Sequence, residues 1–295
     1  WQDAASRDAP IQQYQLSISG GNDDARYAVS GGYFKQDGIL IDTDFKRWST
    51  RVNLDVKATE KIKVGLSFTG NSTGSNIGSN VTGGNASSII TALLSMPPTA
   101  TIYEPDGSFT LRNPFENIIS NPIATLKQRV NQSNGIRLLG TAFAEYNILD
   151  NFIFKTSFGI DYNNTKENSF IPTTLYEGSI VNGQANIGVR NSNSLLNENT
   201  LTYRTNFGNH NLDLLTGYTT QVFKSDVVRA GSTQFVSNDF TYNSLQSGAT
   251  PSTPFSNTAE WSLISYLARV NYSYDNRYFL TSSIRADGSS RFGKN

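Results

Sequence analysis

These 295 residues contain no cysteine and a single histidine, His210. The first absence removes disulfide frameworks, thiolate metal sites and cysteine nucleophiles together, while leaving the compartment open. The second excludes any mechanism that needs two imidazoles. Net charge is absent as well: 24 basic residues face 24 acidic ones, so no global field draws the chain to a polyanion and no nucleic-acid partner is expected. No apolar run approaches the roughly 20 residues that a membrane-spanning helix requires. The mean hydropathy of -0.38 looks soluble. It does not exclude a membrane, because a transmembrane strand alternates lipid-facing apolar with lumen-facing polar residues and so keeps a modest mean even inside lipid.

What the chain has in abundance is period-two alternation and aromatic residues, 14 Tyr and 17 Phe among them. The clearest alternation runs from Arg47 to Ala58: Trp48, Thr50, Val52, Leu54, Val56 and Ala58 share one face, and Arg47, Ser49, Arg51, Asn53, Asp55 and Lys57 the other. The same reading predicts strands at 13–19, 26–36, 46–58, 62–73, 134–147, 151–163, 194–207, 212–225, 260–274 and 278–287. On the better apolar face of the strands at 48–58, 62–68, 136–146, 152–162, 212–222, 262–274 and 278–284 there is no Asp, Glu, Lys or Arg. The opposite faces carry Arg51, Lys63, Arg137, Lys155, Asp161, Asp213, Arg269 and Arg285.

A charge-free face also suits the core of a β-sandwich, so three further features separate the two. Most predicted strands exceed the ~5–6 residues common in globular proteins, and membrane strands need about 9–11 within the hydrocarbon layer. Connections alternate short (20–25, 59–61, 148–150, 208–211, 275–277) and long (74–133, 164–193, 226–259), as short periplasmic turns and long extracellular loops do. Aromatics crowd the strand ends beside the short turns: Tyr146 with Phe152, Phe207, and Tyr274 with Tyr278. The fold expected is all-β, an antiparallel transmembrane β-barrel segment of about ten strands. Trp1 follows no initiator or signal sequence, so the chain is read as an internal piece, residues 1–295 forming part of one barrel domain.

Few residues invite chemistry. His210 lies in Gly208-Asn209-His210-Asn211, a turn by composition rather than a triad member. Asp106-Gly107-Ser108 and Asp287-Gly288-Ser289 are turn sequences without the oxygen-ligand run of a calcium loop. No metal or cofactor site and no catalytic residue is assigned, and the chain is read as a non-enzyme. Sequons at Asn80 and Asn131 receive no function. The connection 74–133 is the most informative loop. It opens on a small-residue run at 70–88 and passes through Ser88 to Met96, a short helix in which Ile89, Ile90, Leu93 and Leu94 share one side and which Pro97-Pro98 stops. Tyr103, Asp106, Phe109 and Arg112 follow, aromatics interleaved with polar groups in the manner that suits sugar rings and their hydroxyls, and are the candidate ligand contacts. Arg51, Asp55, Lys155, Asp161 and Arg269 are the candidate lumen-facing or plug-facing residues.

Several stretches carry a family resemblance: Trp1-Gln2-Asp3, Ala9-Pro10 through Gly20-Gly21, Tyr27 to Phe34, Thr43 to Arg47, Met96-Pro97-Pro98, Asn121-Pro122 and Arg285 to Gly293. In these the chain resembles the SusC/RagA-type TonB-linked outer-membrane transporters of Bacteroidetes. The resemblance implies a barrel of about 22 strands, energised by TonB through an N-terminal region and a plug not included here, and lidded by a SusD-like surface lipoprotein. It further implies import of oligosaccharides, less often peptides, across the outer membrane. The alternative is a soluble, secreted β-rich glycan-binding protein, in which the apolar faces pack on each other.

Overall fold

The computed structural model describes residues 1–77, 88–115 and 119–293. Asn80 and most of the small-residue run at 70–88 lie outside them. Eleven strands form one antiparallel sheet: β1 (Ile11–Gly21), β2 (Ala25–Asp37), β3 (Asp44–Lys57), β4 (Ile62–Asn76), β5 (Val130–Leu149), β6 (Phe152–Ile171), β7 (Gln184–Phe207), β8 (His210–Phe235), β9 (Gly248–Pro251), β10 (Phe255–Tyr274) and β11 (Tyr278–Ser289). Their order in the sheet is their order in the chain, except that the short β9 pairs only with the far end of β8. Among the described residues four short α-helices accompany them: α1 (Gln2–Ala5), α2 (Ile89–Ser95), α3 (Pro122–Gln128) and α4 (Tyr176–Val181).

The hairpins are closed at one end by residues suited to tight reversal. Asn22 accepts from the backbone of Asp24 (3.0 Å) and Ala25 (2.8 Å). Asp275 and Asn276 both adopt positive φ, with Arg277 N donating to Tyr274 O, which matches the twist of the flanking strands. The opposite end carries the connections 38–43, 77–129, 172–183 and 236–254. The asymmetry read from the sequence therefore holds, but two of its long connections were overestimated. The stretches 164–193 and 226–259 contract to 172–183 and 236–254, because β6, β7, β8 and β10 continue for 20, 24, 26 and 20 residues. Around 163–169 and 191–193 the added residues are rich in Asn, Ser and Thr on both faces, which blurs the alternation at the point where the strands continue.

Register decides how the faces combine. The hydrogen-bonded ladder sets Tyr14 opposite Tyr33, Tyr33 opposite Trp48, Leu54 opposite Leu66, Leu66 opposite Ala142, Ala142 opposite Phe158, Ile160 opposite Leu195, Leu195 opposite Val222 and Val270 opposite Leu214. Directly paired residues share a side of the sheet, so the apolar sets of successive strands merge into one continuous face. That face is open: Leu16, Phe158 and Ile284 are 72%, 61% and 74% exposed. Charge appears on it only beyond a border, as the pairs Lys35–Asp37 (3.2 Å), Lys46–Asp44 (3.0 Å) and Lys224–Glu260 (2.9 Å), with Lys166 and Asp226 on the same side. Above the border the chain covers the face itself. Phe170, Ala185 and Phe235 are buried there under Tyr242 and Leu245 of the β8–β9 connection, and Tyr242 Oη donates to Gln132 Oε1 at 3.0 Å.

At the tight-turn end aromatic rings gather as the sequence suggested. Phe152 meets Tyr203 (ring centroids 4.6 Å apart), Tyr274 stacks on Tyr278 (6.4 Å), and His210 stacks on Phe207 (4.9 Å) while its Nδ1 shares a 2.6 Å hydrogen bond with Tyr272 Oη. The lone histidine thus belongs to an aromatic belt at the start of β8.

A charge placed in the middle of the open apolar face should be costly only if that face meets lipid. Leu66→Arg in the full-length protein should destabilise the fold in lipid vesicles by about 2–4 kcal/mol, whereas Ser67→Arg, on the other face, should change its stability by less than about 1 kcal/mol. Urea titration of vesicle-inserted protein reads both, and equal costs would count against a lipid-facing surface.

Candidate functional site

The polar face follows from the same register. One row crosses it as Asp55, Gly65, Phe143, Ser157, Glu198, Thr219 and Ser265, and a neighbouring row as Lys57, Lys63, Glu145, Lys155, Thr200 and Gly217. At Gly65 an added Cβ would collide with the Phe143 ring, so the glycine lets that ring lie across β4. Lys155 Nζ sits 4.5 Å from the ring centroid and Lys63 Nζ 6.0 Å, two ammonium groups sharing one aromatic π-face region. Asp161 is held by Arg137 through paired contacts of 3.1 and 2.9 Å. Arg51 lies between Ser30 and Thr69 and helps line a depression of about 230 Å³ with Gln13, Gln15 and Arg47. Arg269 stands opposite Leu215 and Ser283. All five sequence-selected residues, Arg51, Asp55, Lys155, Asp161 and Arg269, therefore share the polar face, distributed over it rather than gathered at one point.

The connection between β4 and β5 builds a small cap at the long-loop end. Ile89, Leu93, Ile123 and Leu126 bury with Ala5 of α1, and Trp1, Leu40, Ile41, Ile102 and Phe109 pack around them. The short helix occurs where the sequence placed it, but its buried stripe is Ile89, Ala92, Leu93 and Met96, the i, i+3, i+4, i+7 set, and Ile90 and Leu94 face outward. Trp1 Nε1 donates to Pro97 O at 3.0 Å, tying the start of the chain to the proline stop. Asn121 is the hinge of the cap. Fully buried, it accepts at Oδ1 from Ile123 N (3.0 Å) and Ala124 N (3.1 Å), capping α3, while its Nδ2 donates to Ile102 O and Thr110 Oγ1, both at 2.9 Å.

The four candidate ligand contacts fall on or beside a turn of this cap. Tyr103 and Phe109 pair across it, ring centroids 4.9 Å apart, with Phe109 also packed against the cap core. Asp106 closes the turn, accepting from Ser108 N (2.9 Å) and Ser108 Oγ (2.6 Å), which holds its carboxyl below the usual carboxylate range. Arg112 turns away, its guanidinium 5.0 Å above the Tyr176 ring of α4. Tyr103, Asp106 and Phe109 are thus brought together, and Arg112 instead links the cap to the β6–β7 connection.

Sequence reasoning missed a second concavity, higher on the polar face. Ser75, Ser133, Glu167, Gly188, Arg229 and Phe255 form one cross-strand row over six strands, and Asn131, Ser169, Asn186 and Gly231 form the next. All of these but Ser75 line a hollow of about 540 Å³. Glu167, Gly188, Arg229 and Phe255 lay in stretches read as loops. The signal that would have found them is the alternation of Ala185, Ile187 and Val189 with Asn186, Gly188 and Arg190.

No family model matches the chain. Its whole length is 38% identical to the TonB-dependent receptor P3 of Formosa agariphila, spanning 30% of that protein, and 25% identical to the TonB-dependent receptor SusC of Bacteroides thetaiotaomicron, again spanning 30%. The solved structure of the RagAB peptide transporter superposes on all of it with a TM-score of 0.83 at 26% identity, over 33% of that chain. The chain thus spans about a third of the length of the proteins it matches.

Removing the buried amide of Asn121 should loosen the cap without melting the sheet. Asn121→Ala should destabilise the cap by about 2–3 kcal/mol, read as protease cleavage within 97–129 faster by on the order of 50-fold. The heat-modifiable gel migration that reports the folded sheet should stay unchanged; loss of both together would show that cap and sheet unfold as one.

Proposed function

We propose, from a chain that resembles the SusC/RagA-type TonB-dependent receptors along its whole length, that it is part of the wall of an outer-membrane barrel that imports oligosaccharides, or less often peptides, with energy from TonB. The observation that carries this is the pairing of one continuous, exposed, charge-free face with one polar face along the same strands. Lipid accepts the first and a water-filled lumen the second. The strands β1 and β11 are the open edges of the sheet, suited to pairing with further strands of a larger barrel.

In this reading Arg51, Asp55, Lys155, Asp161 and Arg269 line the lumen or contact a plug inside it. The turn bearing Tyr103, Asp106 and Phe109, with Arg112 beside it, faces the extracellular entrance and meets substrate or the SusD-like lipoprotein that closes the mouth. The soluble glycan-binding alternative is not favoured: it needs the apolar faces packed on each other, and they stand exposed in a single layer.

Expression of the full-length protein with an affinity tag tests the proposal. It should fractionate with the outer membrane and bring down a surface lipoprotein stoichiometrically. Recovery as a soluble monomer would return the assignment to the secreted binding protein.

A further inference from the structure

We infer that the high concavity on the polar face is a carbohydrate subsite that binds one neutral pyranose unit, a reading that rests on the transport function proposed above. Its floor is made by absence. Gly188 stands between Glu167 and Arg229 in the cross-strand row, and a Cβ built there would lie 3.4 Å from Arg229 Cγ, 3.7 Å from Arg229 Nε and 3.8 Å from Glu167 Oε2. Both charged heads therefore lean over the same glycine from either side. They do not form an ion pair with each other, so a carboxylate and a guanidinium face one another across a gap.

A sugar hydroxyl fits that gap, because it accepts from a guanidinium and donates to a carboxylate at the same time. A side chain that only donates or only accepts leaves one partner unmet. Next to Arg229 on β10 stands Phe255, 53% exposed, on the same face and directly paired with it. An exposed ring beside hydrogen-bonding groups gives the apolar side of a pyranose a platform to stack on. The adjoining row adds Asn186 and Ser169, joined by a 3.5 Å hydrogen bond from Asn186 Nδ2 to Ser169 Oγ, and Gly231 gives Asn186 its space. These groups donate and accept in roughly equal number and carry no net charge between Glu167 and Arg229, which selects a neutral ring over an anionic one. About 540 Å³ is ample for a hexose. The groups stand on paired strands and not on free loops, so the site is preorganised.

The test uses the full-length protein, purified in detergent, on a glycan array and on a library of zwitterionic pentapeptides, in wild-type form and as Phe255→Ala, Glu167→Gln and Gly188→Val. Glu60→Gln, in the β3–β4 turn at the other end of the sheet, is the control, and gel migration verifies that each variant is folded. Wild type should bind at least one neutral glycan, with Phe255→Ala weakening it about 10-fold or more, Glu167→Gln by a similar factor, Gly188→Val abolishing it, and Glu60→Gln leaving it unchanged. Binding confined to peptides, or to neither set, overturns the inference. So does glycan binding that all three variants retain. Cellular uptake separates the two claims: a protein that imports its glycan while the variants match wild type loses the subsite and keeps the transport reading, whereas a protein that binds glycan but imports none loses the transport reading.

Discussion

The constraint on which everything else depends is the backbone hydrogen bond. In a hydrocarbon layer each unpaired N–H or C=O costs several kcal/mol, so a chain that crosses with strands must pair every one of them with a neighbour. Pairing fixes register, and register fixes which side chains stand together. Because the side-chain period is two, a slip of one residue between any two strands would bring a charged set onto the greasy side. The pairing of Leu54 with Leu66 and of Leu66 with Ala142 is therefore more than local packing. It lets many modestly apolar strands act as one surface, although no single segment is hydrophobic enough to announce a membrane.

The same constraint explains where the ordinary protein core has gone. Buried residues are few within the sheet and concentrated at the long-loop end, in the cap around Ile89, Leu93, Ile123 and Leu126 and in the cluster around Phe170 and Phe235. A single-layer sheet has no interior of its own to bury side chains in. Its connections, lying above the charged border marked by Lys46 and Lys224, meet water on their outer side and must build small hydrophobic cores to hold a shape. Asn121 serves that purpose by satisfying four partners with one amide, and a buried polar group so fully met is what makes such a cap specific rather than merely sticky.

The sheet was legible in the sequence wherever the two faces differ in chemistry. Residues 48–56 alternate apolar with polar and 136–146 keep one face free of charge, and both lie in strands with the faces expected. The tops of β6 and β7 were not read as strand, because Asn164, Asn191, Ser192 and Asn193 look alike on either side and interrupt the pattern before the alternation of Ala185, Ile187 and Val189 is reached. Of the short helices α2 was read from the sequence, and α3 was hidden for another reason. The seven residues of α3 owe their helicity to the Asn121 cap, the proline at its first turn and burial against α1 and α2, and only the first two are visible locally. The candidate contacts Tyr103, Asp106 and Phe109 could be grouped because they are close in sequence. Glu167, Gly188, Arg229 and Phe255 could not, since their proximity exists only through the ladder.

That last contrast bears on how such a wall acquires selectivity. A loop can present polar groups, but it must order them at an entropic cost when a ligand arrives. The strands here continue far past the length that a tilted crossing of about 9–11 residues demands, β8 reaching 26. Each added pair of residues extends the hydrogen-bonded ladder and projects one more side chain on the polar side at a position set by the pleat. Above the border the apolar side no longer meets lipid, and the β8–β9 connection covers part of it, so substitutions on the polar side are released from the membrane's demands on its partner face. Recognition groups placed there inherit the rigidity of the sheet while remaining independent of the charge-free band below, and glycines in the row open the space that a flat wall would otherwise lack.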